Sequence, residues 1–324
     1  MEQRHLGRTG LRVSRLGLGT MTWGRDTDES DAGDQLKAFL DAGGTLLDTA
    51  DVYSDGESEA LLGRLVEGIR ADVVIATKAV SVPHSPRRFD ASRGHLLAAL
   101  DASLSRLGTD YVDLWQLHAY DDHTPIEETL SALDAAVASG RARYVGVSNY
   151  SGWQLAAAAS WQRAVPGRAP IASAQMEYSL VQRGVEREVA PAALALGIGL
   201  LPWSPLGRGV LTGKYRTGIP SDSRGASDRY GGFVEPYLDG PARRIADAVA
   251  TASDGLGVAP VEVALAWVRD RPGVTAPIVG ARTAAQLRGA LAAEDLMLPQ
   301  TIRDALDDVS APYLGYPDHG WNRG

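Results

Sequence analysis

The chain has 324 residues, of which 44% are hydrophobic and 22% charged, a composition typical of folded globular proteins that excludes a disordered or low-complexity chain. Its formal net charge of -8 and isoelectric point of about 5.3 give no long-range attraction to phosphodiester backbones or anionic lipids, so neither nucleic acid nor a membrane is an expected partner. The absence of cysteine excludes disulfides, thiolate metal sites and cysteine nucleophiles, and without an apolar signal core or a ~20-residue apolar run we expect a cytoplasmic protein.

Short apolar runs alternate with helical patterns along most of the chain. The opening predicts a β-hairpin with its turn at residues 7–10. Eight apolar runs then predict strands at residues 15–20, 45–50, 73–79, 112–118, 142–149, 173–178, 198–202 and 275–281. Helical patterns with suitable start signals lie between them, at residues 28–40, 58–66, 90–107, 125–138, 153–160, 185–195 and 260–269.

This order predicts one α/β domain over residues 1–324. Repeated strand-then-helix units indicate a parallel sheet with helices outside, and eight units favour a closed (β/α)8 TIM barrel over an open doubly wound sheet. Two stretches are longer than usual connections: residues 207–241, and a tail from residue 299 that contains a helical pattern at 302–309. We expect long functional loops at the C-terminal face of the barrel.

Four proton-handling side chains follow the ends of three consecutive predicted strands, where a barrel carries its active site. Asp48, Lys78 and His118 lie at the strand ends, and Tyr53 follows Asp48 after five positions. We expect Asp48 to keep Lys78 charged and Lys78 to lower the pKa of Tyr53 from ~10, while His118 positions a carbonyl oxygen or shares the proton. These groups supply no electrons, so a reduction needs a hydride carrier. His118 and His123 lack the spacing of metal ligands, so no metal site is expected.

Two glycine-rich stretches start like phosphate-binding motifs but do not complete them. In residues 17–22 a threonine holds the last glycine position of a dinucleotide fingerprint, and residues 207–214 depart from a P-loop in glycine spacing and in the tyrosine after the lysine. The phosphates of a cofactor would therefore need the loops after the seventh and eighth strands.

At these residues the chain resembles the aldo-keto reductase superfamily. The similar stretches are DTADVYSDGESEALLG, VVIATK, SLSRLGTDYVDLWQLH, VGVSNY, QMEYSL, PWSPLGRGVLTGKY and IVGARTAAQL. The resemblance implies an eight-stranded barrel that reduces carbonyls with NADPH, NADH being the less expected cofactor. It implies Tyr53 as proton donor, Lys78 lowering its pKa, Asp48 anchoring Lys78, and His118 orienting the substrate oxygen.

The resemblance also implies a set of cofactor contacts. Those to the nicotinamide are Ser148, Asn149, Gln175 and the stacking residue Trp203. Those to the pyrophosphate are Ser204, Leu206, Gly207, Arg208 and Lys214. Those to the adenosine end are Arg282 and Gln286, and the remaining implied contacts are Thr20, Met21, Asp48 and Gly280.

The chain departs from the superfamily pattern at two places. Many relatives have a tyrosine where Trp203 stands, and the tryptophan is more similar to the branch that includes bacterial soluble reductases and potassium-channel β subunits. Gly289 and Ala290 stand where relatives often place Glu and Asn that grip the adenine. The expected preference for NADPH therefore depends on Arg282, because a guanidinium can meet a 2′-phosphate through two hydrogen bonds.

Aromatic side chains near the expected barrel mouth predict a substrate pocket. Trp23 and Tyr120, together with Tyr53 and His118, are the expected substrate contacts. Further aromatic residues that could shape the pocket are Tyr150, Tyr230, Phe233, Tyr313, Tyr316 and Trp321. Such a pocket admits a small-molecule aldehyde, ketone or keto-sugar ring equally well.

The leading hypothesis, an NADPH-dependent carbonyl reductase, has two competitors. One is a cofactor-sensing interaction subunit similar to the channel β subunits, suggested by Trp203 and the long stretch at 207–241. The other is a barrel lyase that uses Lys78 as a Schiff-base amine, which Asp48 disfavours because a neighbouring anion keeps the lysine charged. The acidic composition is compatible with a monomer or with a small homo-oligomer.

Overall fold

Eight parallel strands in barrel order form the centre of the fold, after an antiparallel hairpin of two further strands. The structure is a computed structural model that describes residues 1–221, 223–227, 231–313 and 315. The hairpin consists of β1 (Gln3–His5) and β2 (Arg12–Ser14). The barrel strands are β3 (Gly17–Gly19), β4 (Leu46–Asp48), β5 (Val74–Ala79), β6 (Val112–Leu117), β7 (Ala142–Ser148), β8 (Ile171–Glu177), β9 (Gly199–Trp203) and β10 (Ile278–Gly280).

The barrel strands are hydrogen-bonded in the order β10-β3-β4-β5-β6-β7-β8-β9. A parallel bridge between Leu200 of β9 and Val274, which lies shortly before β10, nearly closes this ring. The fold is therefore the (β/α)8 TIM barrel with an N-terminal hairpin that the alternation predicts, and the predicted fold class is confirmed.

Helices surround the strands and also build the connections at the end of the chain. They are α1 (Glu29–Asp41), α2 (Glu57–Leu65), α3 (Arg93–Leu107), α4 (Ile126–Ala138), α5 (Gly152–Ala164), α6 (Val189–Leu196), α7 (Gly231–Val234), α8 (Pro241–Leu256), α9 (Pro260–Arg269), α10 (Ala284–Leu291) and α11 (Gln300–Val309). Local signals set several of their ends: α1 begins where the Asp28 side chain accepts a hydrogen bond from the Asp31 N–H, and α6 ends at Gly197, whose φ of 60° lets the chain turn into β9.

The hairpin closes the N-terminal end of the barrel. Leu6 and Val13 are fully buried there against inward-facing strand residues, namely Leu46, Ala76, Leu114, Ala172, Leu201, Ala276 and Ile278. A second and larger apolar cluster fills the layer between strands and helices. Asp48, Lys78, Ser148 and Gln175, by contrast, lie towards the C-terminal ends of their strands.

Every predicted strand and helix overlaps an observed one, with shifts of a few residues at the boundaries. The helix predicted at 185–195 begins at Val189, because a short 3-10 turn precedes it. The four-residue helix α7 was not predicted, and neither were the longer helices α8 and α10. Their signals are present in the sequence: α8 starts on Pro241 and buries Ile245 and Val249, which are four residues apart.

Within the described residues, no single helix is long and apolar enough to cross a membrane. Taken together, α8 and α9 meet that test of length and composition, but the pair is bent by 104°.

Candidate active site

Asp48 and Lys78 form a buried ion pair at the C-terminal end of the barrel. The Lys78 Nζ lies 2.7 Å from Asp48 Oδ2 and also donates to the Thr49 carbonyl at 2.8 Å. Parallel pairing places Asp48 opposite Ala76, and Lys78 is two residues further along β5 on the same inner face. Burial alone would lower the pKa of Lys78, but the Asp48 carboxylate and Tyr53 raise it above its usual value, so the lysine stays charged.

Tyr53 opens a 3-10 turn that brings its phenol to the ion pair. The Tyr53 hydroxyl lies 3.5 Å from Lys78 Nζ, at the outer limit of a hydrogen bond. Burial raises the pKa of Tyr53, Lys78 lowers it, and the nearby Asp48 charge raises it again, so the net direction is upward. This corrects the expected fall in pKa: burial outweighs the lysine, and Tyr53 is a neutral phenol at neutral pH.

His118 follows β6 and faces Tyr53 edge-on, with ring centroids 6.0 Å apart and an interplanar angle of 78°. Burial and the positive charge of Lys78 lower the pKa of His118 to about 3. A neutral imidazole can orient an oxygen but carries no extra proton to give, which favours the first of the two expected roles, orienting a carbonyl oxygen. Within the described residues, His118 Nδ1 is buried without a hydrogen-bond partner.

Gln175 and Ser148 support this group from the neighbouring strands. Gln175 Nε2 donates to Asp48 Oδ1 at 2.7 Å, so both oxygens of that carboxylate have donors. Ser148 Oγ donates to the backbone carbonyl of Gln175 at 2.8 Å. Two of the implied nicotinamide contacts are thus adjacent to the Asp48–Lys78 pair.

Asn149 and Trp203 form the side of the site beside His118. Asn149 has a φ of 58° and donates from Nδ2 to the His118 carbonyl at 2.9 Å, while its Oδ1 accepts from Trp203 Nε1 at 3.0 Å. Trp203 also stacks on Phe233, with ring centroids 6.4 Å apart and planes 15° apart. The structure therefore brings the implied nicotinamide contacts together with the proton-handling group.

In the loop after β9, the Arg208 side chain is paired with a carboxylate. Its guanidinium is held by Glu177, with Nε 2.8 Å from Oε1 and Nη2 2.7 Å from Oε2. The implied contact between Arg208 and a phosphate stays a prediction. Lys214, by contrast, folds over the loop: a β-carbon on Gly209 would come within 3.3 Å of its Nζ.

The implied adenosine contacts lie beyond β10. The backbone N–H of Arg282 donates to Gln286 Oε1 at 3.0 Å, which connects the two implied residues directly. A guanidinium that the sequence analysis did not single out, that of Arg224, lies beside Gly280: a β-carbon on this glycine would be 3.9 Å from Nη2. The contact crosses 56 residues of chain, and local sequence patterns do not reveal such contacts.

Two further implied contacts, Thr20 and Met21, follow β3, and Thr20 lies beside Asp48 of the neighbouring strand β4. Thr20 is buried, and its Oγ1 is 3.1 Å from the Asp48 carbonyl and 2.7 Å from Ser58 Oγ. Met21, the next residue, is partly exposed. Thr20 thus fixes the backbone at the end of β4.

The aromatic residues expected at the mouth separate into two groups. Trp23 is a core residue with 0% of its surface exposed, and its Nε1 donates to Gln35 of α1 at 3.1 Å. This corrects its assignment as a substrate contact, because it offers no accessible surface. Tyr120 is partly exposed and makes edge contacts with Tyr150 and Trp153, at centroid distances of 5.2 and 5.8 Å. Tyr230, Tyr316 and Trp321 lie outside the described residues.

Backbone strain is concentrated at this end of the barrel. The described non-glycine residues with positive φ follow the ends of β4, β5, β7 and β9, and they are Ser54, Asp55, Val80, Asn149, Ser204 and Arg208. Such conformations are costly outside glycine and tend to occur at functional sites. Their positions independently mark the C-terminal face as the candidate site.

Comparison with known proteins finds matches over almost the whole chain. A sequence profile described as the Aldo/keto reductase family matches residues 15–311. The uncharacterized oxidoreductase YrpG of Bacillus subtilis is 38% identical over 323 aligned positions, which cover 95% of this chain and 96% of that protein. A probable voltage-gated potassium channel subunit beta of Oryza sativa subsp. japonica is 36% identical, covering 98% of each chain. An aldo-keto reductase of Fusarium vanettenii is 35% identical, covering 96% and 92%.

Proposed function

Because the chain belongs to the aldo/keto reductase family, we propose that it is an NADPH-dependent oxidoreductase that reduces an aldehyde or ketone to the alcohol. The observation that carries the proposal is the buried arrangement of Asp48, Lys78 and Tyr53, with a neutral His118 beside the phenol. An arrangement of this kind delivers a proton to an oxygen that gains negative charge.

Each of the four residues has a separate task in this proposal. Tyr53 is a neutral phenol at neutral pH and gives its proton to the carbonyl oxygen. The charge of Lys78 stabilises the phenolate that remains, and Asp48 holds the ammonium in place. His118 orients the carbonyl oxygen as a neutral hydrogen-bonding group. NADPH, when bound, supplies the hydride that the protein itself lacks.

The residues around the phenol suit a nicotinamide cofactor. His118 Nδ1, a buried polar atom without a partner among the described residues, marks the place where a further polar group is needed. Ser148, Asn149, Gln175 and Trp203 would hold the nicotinamide end. Ser204, Leu206 and Gly207 of the loop after β9, with the Lys214 ammonium, would hold the pyrophosphate. Arg282, Gln286 and Gly280 would hold the adenosine end, with Thr20 and Met21 at the opposite wall.

NADPH rather than NADH is proposed on the chemistry of Arg282. A guanidinium meets a phosphate through paired charge-assisted hydrogen bonds, and NADH lacks the 2′-phosphate. Replacing Arg282 by glutamine should weaken NADPH binding while leaving NADH binding unchanged, measured by quenching of tryptophan fluorescence. Equal losses for the two cofactors would assign Arg282 to another task.

The reaction is tested with purified protein, NADPH and a panel of aldehydes, ketones and keto-sugars. Oxidation of NADPH is followed by absorbance, and Tyr53→Phe should remove most turnover while leaving cofactor binding intact. Tyr313→Phe is a matched control, because Tyr313 is 95% exposed and lacks any role in the proposed site. Equal rates for wild type and Tyr53→Phe would refute the role given to Tyr53.

Two competing functions make different predictions. A cofactor-sensing interaction subunit, suggested by the rice relative and by Trp203, should bind NADPH tightly, show negligible turnover across the panel and retain a stable protein partner in pull-downs. A Schiff-base lyase requires a neutral lysine, and the 2.7 Å contact with Asp48 disfavours it. Failure of borohydride to trap a substrate on Lys78 would exclude the lyase.

The same proposal includes a single domain over residues 1–324, a cytoplasmic location and a small-molecule carbonyl as the partner. Size-exclusion chromatography with light scattering would decide between a monomer and a homo-oligomer.

A further inference from the structure

We propose that Glu177 and Arg208 form a strut that fixes the loop after β9 in the shape that binds the cofactor, so that Glu177 is a positioning residue for cofactor binding. Arg208 then acts through the loop backbone instead of contacting phosphate. The inference rests on the proposed function, because it concerns how that cofactor site is prepared.

Each of the three nitrogens of the Arg208 guanidinium already has a partner. Nε and Nη2 meet the two Glu177 oxygens at 2.8 and 2.7 Å, and Nη1 donates to the Phe233 carbonyl at 2.5 Å. Both charged side chains are largely buried, with exposed fractions of 14% for Arg208 and 15% for Glu177. A bidentate pair of this kind is among the strongest side-chain contacts, and breaking it to reach a phosphate would leave a carboxylate without its partner.

The backbone at Arg208 explains why an anchor is needed. Gly207, Arg208 and Gly209 have φ values of 56°, 59° and 98°, so three successive residues adopt left-handed conformations. Glycine tolerates this geometry, but arginine does not adopt it without cost. The pair with Glu177 offsets the cost of the left-handed backbone at Arg208. It ties the arginine side chain to the end of β8 and so holds the loop backbone in its tight bend.

The same pair also holds the segment that covers Trp203. The Arg208 guanidinium lies 3.8 Å from the ring centroid of Phe233 and 4.9 Å from that of Tyr237. The Tyr237 hydroxyl donates to Glu177 Oε1 at 3.2 Å, and Phe233 stacks on Trp203. One ion pair thus connects the end of β8, the loop after β9 and the wall beside the proposed nicotinamide contact.

The charges of these side chains agree with a structural role for Arg208 and a phosphate-binding role for Lys214. Glu177 alone would repel a pyrophosphate bound at the neighbouring loop, and Arg208 neutralises it at contact distance. The pair therefore adds no net charge to the site. The Lys214 ammonium, which lies over Gly209 on the loop itself, would meet the phosphate.

The two roles of Arg208 predict opposite effects of changing Glu177. If the pair is a strut, Glu177→Gln and Arg208→Lys should each weaken NADPH binding about tenfold, since each loses a charge-assisted bidentate contact. The double variant should bind no more weakly than the poorer single variant, because both changes break one contact. NADH binding should fall by the same factor, since the strut lies outside the adenosine end. If Arg208 instead binds phosphate, Glu177→Gln frees the guanidinium, and NADPH binding stays unchanged or tightens.

The control and a milder variant complete the experiment. Asp247→Asn removes the exposed partner of Arg216 in the same long connection and should leave binding unchanged. Glu177→Asp keeps the charge but shortens the reach, so the strut predicts weaker binding whereas a phosphate-binding Arg208 predicts no loss. Folding of each variant is checked by circular dichroism.

A structural readout separates this inference from the proposed function. Without cofactor, trypsin should cut at Arg216 and Arg224 faster in Glu177→Gln than in wild type, because the segment loses its anchor. Unchanged cleavage together with unchanged or tighter NADPH binding would overturn the strut. If wild-type protein does not bind NADPH, the proposed function fails, and the cleavage rates still decide whether the pair anchors the loop.

Discussion

Gln175 donates a hydrogen bond to one oxygen of Asp48 at 2.7 Å, and Lys78 donates to the other oxygen at the same distance. A residue implied to hold the nicotinamide therefore also fixes the carboxylate that keeps the lysine charged. Under the proposed function, proton delivery and cofactor orientation would depend on one buried group, so changes to Asp48 should affect both.

Replacing Asp48 by asparagine should lower both stability and turnover. Lys78 would become a buried cation without an anionic partner, which costs about 3–5 kcal/mol of unfolding free energy. A lysine that loses its charge cannot stabilise the Tyr53 phenolate, so we expect kcat to fall by at least about 100-fold. Urea unfolding and NADPH oxidation measure the two effects.

The control for this change is Asp41→Asn, which removes the exposed partner of Lys37. An exposed pair contributes less than about 1 kcal/mol, so its loss should be barely measurable. Equal stability losses for the Asp48 and Asp41 variants would contradict the assignment of a buried ion pair.

His118 should make the protein less stable as the pH falls. Its pKa is lowered to about 3 in the folded state by burial and by Lys78, so the fold prefers the neutral ring. The contribution of the neutral His118 ring to the unfolding free energy is fully present above the unfolded pKa of about 6.5 and is lost as the pH falls towards 3. Between pH 7 and pH 4, wild type should lose on the order of 1–3 kcal/mol more unfolding free energy than His118→Gln. Parallel stability curves for the two proteins would exclude a buried neutral imidazole.

Asp51 should show the opposite pH dependence. Burial and the charge of Glu59 raise its pKa to about 7, and within the described residues its Oδ1 is buried without a hydrogen-bond partner. The folded protein favours the protonated carboxyl of Asp51. The contribution of this carboxyl to the unfolding free energy is fully present below the unfolded pKa of about 3.8 and is lost as the pH rises through 7. Asp51→Asn should therefore be more stable than wild type at pH 8, by on the order of 1–3 kcal/mol, and about equal at pH 4.

Asp55→Asn is the matched control, because Asp55 lies in the same turn and its side chain is 83% exposed. Thermal unfolding at both pH values measures the difference. If Asp51→Asn gained no stability at the higher pH, the carboxyl would have to be ionised in the fold without cost.

The fold could be predicted because it depends on patterns that repeat. Strand and helix periodicity gave the eight units, and the strand ends gave Asp48, Lys78 and His118. The contact between Asp48 and Lys78 followed from charge, since a buried carboxylate needs a cation.

The remaining features depend on contacts between distant parts of the chain. Arg208 meets Glu177 across 31 residues, so the sequence alone could not show that its guanidinium is already paired. The direction of the Tyr53 pKa depends on a competition between burial and the Lys78 charge, and burial can be measured only in the folded structure.

The burial of Trp23 also could not be predicted from the sequence, and replacing this residue tests its assignment to the core. Trp23→Phe removes the donor to Gln35 and leaves a small cavity, which should lower the unfolding free energy by about 1–3 kcal/mol. Because Trp23 has no exposed surface, kcat and KM for any carbonyl substrate of the panel should stay within about twofold of wild type. Tyr120→Ala is the contrasting variant: Tyr120 is partly exposed two residues after His118, and its loss should raise KM about tenfold. A large KM change in Trp23→Phe with unchanged stability would show that Trp23 is a substrate contact after all.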